Sequence, residues 1–340
     1  MSVFPVGKIP VQVLQRVVFK NLGVHSSSLL VGPGIGEDAA VVRMGGSTIV
    51  LSTDPITGAL ANIGWLSVHV NANDVATRGA RPKWYLCSIV LPEKSGETVL
   101  RRIMRQIDAA CIELGVTVAG GHSEVSPLLE RPLIAGFMMG EAKSGRYVTS
   151  SGAVPGDRLI LTKCAGIEGT AILATDYEGV LRRRLDARIL RRAQRLYRKI
   201  SVVEDAMVSL EAGGVDAMHD PTEGGLLCGV WELAEASKLG VILYSKIVPV
   251  SPETDAVCRC LGIDPLRLLS SGSLLVAAKP SHANKIVSKL LKRGIPAVEI
   301  GEFVSRKYGR RIAAEDGSEM EFRPPFPDEI YRIWEWGPGR

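Results

Sequence analysis

With 340 residues, 46% of them hydrophobic and 23% charged, the chain can bury a substantial core, which excludes general disorder and favours two domains over one. Lys and Arg total 41 against 36 Asp and Glu, a formal net charge of +5 that is too small for a global nucleic-acid signature. The cysteines Cys87, Cys111, Cys164, Cys228, Cys258 and Cys260 show no paired Cys-x-x-Cys zinc spacing, residues 1–10 lack a basic region followed by an apolar run, and no apolar stretch approaches the roughly 20 residues that span a bilayer. A reduced, cytoplasmic chain with no membrane segment is expected.

In chain order, Val11 to Leu22 has helical spacing and is stopped by Gly23. Ala39 to Arg43 and Thr48 to Thr53 are β-branched runs around Gly45-Gly46, hairpin chemistry that ends on Asp54. Ile63 to Arg78 turns to a 3.6-residue period, with Asn71, Asp74 and Arg78 on a polar side. Lys83 to Leu91 is a buried strand, Val99 to Leu114 an amphipathic helix closed by Gly115, and Val116 to Gly120 and Leu133 to Gly140 are further strands. The Gly- and Ser-rich stretch from Lys143 to Gly156 sets a domain boundary near residue 150.

Beyond it come a strand from Asp157 to Thr162, a helix entered at Gly166 to Thr170, and an arginine-rich helix from Arg182 to Lys199. In that helix Leu181, Leu185, Ile189 and Leu196 form one stripe and the arginines fill the rest, which is a solvated face with no aromatic interleaving, so nucleic acid is not expected as a partner. Strand Val215 to Met218, helix Thr222 to Ser237, strands Val241 to Tyr244 and Ser273 to Ala278, helix Ala283 to Lys292 and strand Ala297 to Ile300 follow, with a tail helix in Pro324 to Arg340. The imperfect alternation predicts two α/β (α+β) domains with mixed sheets, 1–150 and 151–310, and a tail, 311–340.

No Walker loop occurs and Gly32-Pro33-Gly34-Ile35-Gly36 lacks dinucleotide spacing. Carboxylates recur instead at strand ends or on exposed helix faces: Asp38, Asp54, Asp74, Glu124 and Asp220. Such hard oxygen donors suit Mg2+ bridging phosphates, and a converging set needs a cation to offset its repulsion; singly, each reads equally as a cap or turn former. In His219-Asp220-Pro221-Thr222-Glu223-Gly224-Gly225 the residues Asp220, Pro221 and Glu223 predict a helix start. Two glycines in a first turn cost about 1 kcal/mol each, which close approach of a ligand phosphate would explain. Lys8 could reach a phosphate from a mobile segment, and His122 beside Glu124 is either a proton relay or a structural turn histidine.

In order, Gly36-Glu37-Asp38-Ala39-Ala40-Val41-Val42, Ser52-Thr53-Asp54, Asn71 to Pro82, Gly120-Gly121-His122-Ser123-Glu124 and His219 to Gly225 resemble the aminoimidazole ribonucleotide (AIR) synthetase-related superfamily. That family includes thiamine-monophosphate kinase, selenophosphate synthetase and the hydrogenase expression/formation proteins. The last group is echoed by Leu261-Gly262-Ile263-Asp264-Pro265-Leu266 with Ser271-Gly272 following. The resemblance implies an N-terminal domain that dimerises into a closed β-barrel, a C-terminal α/β domain, ATP with Mg2+, and phosphoryl transfer to an oxygen of a small-molecule or protein-bound acceptor. It implies a homodimer and a maturation partner protein as well. By motif, Asp38, Asp54 and Asp74 would hold metal and phosphates. Lys8, Asp54, Asn71, Asn73, Gly120, Gly121, Asp220, Thr222, Gly224 and Gly225 would contact nucleotide, and Asp74, His122 and Glu124 would serve catalysis.

The chain departs from that group in having no cysteine after Cys260, where hydrogenase members end in the cysteine that is modified, so a different acceptor is expected. Ser123-Glu124 stands where the group has Thr-Lys, and Glu223 stands where it has Arg, so two cations have become carboxylates and Glu223 becomes a fourth candidate metal ligand. The alternative readings are a scaffold that keeps the dimer and nucleotide pocket without turnover, and a small-molecule kinase similar to thiamine-monophosphate kinase.

Overall fold

The computed structural model describes Phe4 and residues 6–57, 61–314, 317–324 and 326–336. The chain forms two compact units, one of Ser28–Val31 with Asp38–Tyr147, the other of Met1–Ser27, Gly32–Glu37 and Val148–Arg340 so far as these are described.

The first of these units is a mixed sheet. Strands β1 (Leu29–Val31), β2 (Ala40–Met44), β3 (Ser47–Ile56), β4 (Ala80–Pro92), β5 (Thr117–Ser126) and β6 (Leu133–Ala142) lie in the order β1-β2-β3-β6-β4-β5. Only β4 and β5 run parallel, and among the described residues the sheet does not close into a barrel. Met44 pairs with Ser47 across the two-glycine turn foreseen at Gly45-Gly46. β3 does not stop at Asp54 but continues through Pro55 to Ile56, paired along β6.

The helix α1 (Val11–Val13), in the other unit, is far shorter than the predicted Val11 to Leu22. It passes into one π-helical turn, Leu14–Val18, closed by Phe19 N donating to Leu14 O at 2.9 Å. Four β-branched valines resist regular helix, and while Val11 packs against the core of this unit, Val17, Val18 and Leu22 stay exposed, so the rest of the predicted stripe is not seated.

Two helices cover the sheet of the first unit. In α2 (Ile63–Thr77) every residue except Trp65 is buried, because it packs on β3, β4 and β6 on one side and on α3 (Glu97–Leu114) on the other. Glycines make that approach possible: a Cβ on Gly136 or Gly140 of β6 would lie 2.4 Å from Asn71 Nδ2 or 2.5 Å from Val75 Cγ1. α3 has the foreseen amphipathic form, buries Ile103, Ile107 and Cys111, and ends on left-handed Gly115.

The other unit holds a second mixed sheet, β7 (Arg158–Thr162), β8 (Val215–His219), β9 (Gly240–Tyr244), β10 (Leu275–Ala278), β11 (Ala297–Val304), β12 (Arg310–Ala313) and β13 (Glu319–Glu321), in the order β13-β12-β9-β11-β7-β10-β8. Its pairs are antiparallel except β12 with β9. Helices α4 (Ile167–Asp176), α5 (Glu178–Leu181), α6 (Ala187–Gln194), α7 (Val203–Ala212), α8 (Gly225–Ala236), α9 (Pro252–Leu261), α10 (Pro280–Lys292) and α11 (Glu329–Trp336) complete it.

The arginine-rich segment is not one helix. Asp186 breaks it, accepting from Arg188 N at 2.7 Å to cap α6, and residues Arg195–Lys199 tighten to a 3-10 turn. Leu181, Leu190 and Leu196 are buried while Arg182 to Arg184, Arg188, Arg191 and Arg192 are exposed, so the solvated face is present as expected. α7, α9, β12 and β13 were not foreseen; α7 and α9 sit in sequence with mixed polarity and acquire their apolar side only on packing. Among the described residues no helix is long and apolar enough to cross a membrane.

Candidate functional site

In the unit built on β1 to β6, the polar residues foreseen on α2 all point into buried surroundings. Asn71 accepts from Asp54 N at 2.8 Å and donates to Asp54 O and Ser67 O at 3.2 and 2.8 Å, tying the helix to β3 at the position of Asp54. Asn73 is fully buried. Asp74 is 3% exposed, accepts a hydrogen bond from Ser52 Oγ, and its backbone oxygen receives Thr77 Oγ1 at 2.7 Å. Asp38 accepts from Arg78 Nη2 at 2.8 Å and from Thr77 Oγ1 at 3.4 Å, and the Arg78 side chain is fully buried. A buried guanidinium is stable only when paired, so Asp38 is held by α2 as much as by its own loop.

Gly120, Gly121, His122 and Glu124 lie inside β5, which the expectation ended at Gly120. Gly121 is required by packing, since a Cβ there would sit 2.1 Å from Cys87 O on β4. His122 Nε2 meets Glu124 Oε2 at 3.3 Å, and both side chains are more than half exposed. Two residues apart on a strand, they share one face.

In the other unit, Asp220 is fully buried, but it does not cap a helix: α8 begins at Gly225, three residues after the predicted Thr222. The pattern of a capping box is overruled by Gly224 and Gly225, which take left-handed φ of +79° and +67°. Their own chain already demands glycine, as a Cβ on Gly225 would meet Leu266 O at 2.6 Å and one on Gly224 would meet Phe326 O at 2.7 Å. Thr222 O accepts from Gly225 N and Ser270 N.

Sequence reasoning missed the residues that hold this loop. Asp328 Oδ2 accepts from Gly224 N at 2.8 Å and its Oδ1 from Ile330 N at 2.9 Å. Tyr331 donates to Glu223 Oε1 at 2.7 Å, while Glu223 Oε2 is buried with no hydrogen-bond partner among the described residues. Burial, then the bond to Glu223, raises the Tyr331 phenol well above its usual range. Lys8 reaches Glu232 Oε1 at 3.4 Å, and His219 Nε2 lies 3.0 Å from Glu232 Oε2. Glu232 had no motif to mark it: it lies within an apolar helical run.

The two sheets and these sites define a two-domain α/β protein of a single family, and the chain belongs to the AIR synthase related proteins: the N-terminal domain of that family matches residues 36–142 and the C-terminal domain residues 154–313. Within it the chain falls in the HypE-like, hydrogenase expression/formation branch. The carbamoyl dehydratase HypE of Cupriavidus necator is 31% identical over 281 residues, 79% of this chain and 77% of that protein. The HypE-HypF complex structure aligns with a TM-score of 0.76 at 22% identity, covering 92% of this chain and 99% of that one. A HypE structure in complex with ATP aligns at 0.70 and 24% identity, covering 95% and 97%. At these identities the structural likeness establishes the fold, a mixed α/β two-domain AIR synthase-like architecture.

Proposed function

We propose that this chain is an ATP-dependent enzyme that phosphorylates, and so activates, an amide, carbonyl or phosphate oxygen of a small molecule or protein-bound group. The observation that carries the reading is Asp74, a carboxylate at 3% exposure on the buried helix of a chain that belongs to this family. An ionised carboxylate so enclosed costs several kcal/mol unless cations or donors offset it. The donor set fits Mg2+, being hard carboxylate oxygens, and the unpartnered buried Glu223 Oε2 is the kind of atom a cation completes. Asp38, Asp54 and Asp74 in one unit, and Glu223 in the other, are the candidate metal ligands, and a bound metal would neutralise phosphate charge. Asn71, Asn73, Gly120 and Gly121 of one unit, and separately Lys8, Asp220, Thr222, Gly224 and Gly225 of the other, are candidate nucleotide contacts, and His122 with Glu124 would relay a proton.

The carbamoyl dehydratase and the ATP complex among its relatives support this reading. ATP with Mg2+ at a hundred times its dissociation constant should stabilise the fold by about 2.7 kcal/mol, a rise of several degrees in thermal scanning; no shift at millimolar nucleotide would sink the idea. If the shift appears and no phosphate is released with any acceptor, the chain is a nucleotide-binding scaffold.

The homodimer we place at β5. It is an edge strand of its sheet, and its residues Thr117–Val125 are exposed on both faces, with Val118 39% and Val125 54% exposed and the exposed Trp84 of β4 paired with Thr117. Such an edge is a template for a second copy, and closing two open sheets against one another would give the family's barrel. Val118→Asp with Val125→Asp should convert a dimer to a monomer in analytical ultracentrifugation; an unchanged mass would exclude this edge. The HypE-HypF complex among its relatives supports a protein partner for this chain also.

A further inference from the structure

A concavity lies in the unit built on β7 to β13, formed by α8, the 3-10 turn Arg306–Tyr308, β12 and β13. Its volume is about 360 Å³, and its lining includes Trp231 and Phe322, both buried, with Arg306, Arg310 and Arg323. None of these residues belongs to a motif quoted above.

Its electrostatics are unbalanced. Arg310 donates to Glu235, one helical turn after Trp231, and its guanidinium carbon sits 5.0 Å from the centre of the Trp231 ring. Arg306 is 3.9 Å from the same Glu235, and Arg323 forms a two-pronged pair with Glu321 at 2.8 Å on each arm. Three guanidiniums thus face two carboxylates, one positive charge in excess. Arg310 Nε is buried with no hydrogen-bond partner among the described residues, and that guanidinium is held in the wall by Glu235 and the Trp231 ring. Arg306 and Arg323, at 63% and 75% side-chain exposure, can swing onto an arriving anion.

We propose that this concavity binds a small organic anion, one carboxylate or phosphate group on an apolar or planar body. The oxyanion supplies the missing negative charge to the exposed guanidiniums of Arg306 and Arg323, and the body lies against Phe322 and Trp231. The size falls within the range of small-ligand pockets. The site is independent of the nucleotide reading, since no residue is shared.

The test is calorimetric titration of the full chain with inorganic phosphate and, separately, with benzoate, at constant ionic strength and in excess non-hydrolysable ATP analogue with Mg2+. Binding of either probe with a dissociation constant on the order of millimolar is expected, phosphate alone indicating a phosphate ligand and benzoate a carboxylate. The exposed double variant Arg306→Gln, Arg323→Gln should weaken it at least tenfold while leaving thermal stability and analogue binding unchanged. No heat from either probe with the wild-type chain, or equal binding by the double variant, would overturn the proposal.

Discussion

Replacing Asp74 by Asn is expected to lower ATP-dependent turnover by at least about 100-fold while the chain stays folded, the loss typical of removing one electrostatic group from a preorganised site. The substitution keeps shape and volume, and Thr77 Oγ1 bonds the backbone oxygen of Asp74, so the helix keeps that contact. What disappears is a negative charge enclosed at 3% exposure and steadied by Ser52. Ser52→Ala, which leaves the charge and removes its positioning hydroxyl, should cost less, about tenfold. Phosphate release against an acceptor panel, with circular dichroism to confirm folding, checks both. Unchanged turnover in Asp74→Asn would remove Asp74 from the chemistry.

Local chemistry made some elements readable. α3 announced itself by its stripe and by Gly115, because an amphipathic surface helix and a left-handed cap are written in neighbouring residues. The Asn71 and Asp74 side of α2 was legible as polar, but its full burial was not, since that depends on Gly136 and Gly140 of β6 admitting the helix. Where the reading failed, distant chain had the final word. Asp220, Pro221 and Glu223 spell a helix start, yet Gly225 must turn left-handed beneath Leu266–Leu268, so α8 begins later. β5 runs through Gly120-Gly121-His122, a loop-like composition, because pairing with β4 supplies the order. Asp328 and Tyr331 reach Gly224 and Glu223 across 104 and 108 residues, a separation no local pattern can signal.

The same Asp328 gives the stability of the protein a specific pH dependence. Burial pushes its carboxyl up to about 7, the charge of Glu223 adds to the rise, and donors from Ile330, Gly224 and Leu269 oppose it. In the unfolded chain an aspartate titrates near 3.9. The folded form therefore holds the proton more tightly, so this contribution to stability is fully present below about pH 4 and is lost as pH rises from about 4 to about 7. Each unit of that window is worth at most about 1.4 kcal/mol, or about 4 kcal/mol in all as an upper bound. Asp157, raised in the same direction by burial and by its neighbour Asp216, acts alike, so the variant and not the wild-type profile isolates the effect. Asp328→Asn should lower stability at acidic pH by about 1–3 kcal/mol, because one of its two terminal atoms becomes a donor facing the N–H of Gly224 or Ile330. It should also flatten the slope between pH 5 and 7. Urea unfolding of both chains at intervals from pH 5 to 8 measures this: profiles that converge toward pH 7 fit, and parallel profiles would show that Asp328 is ionised throughout.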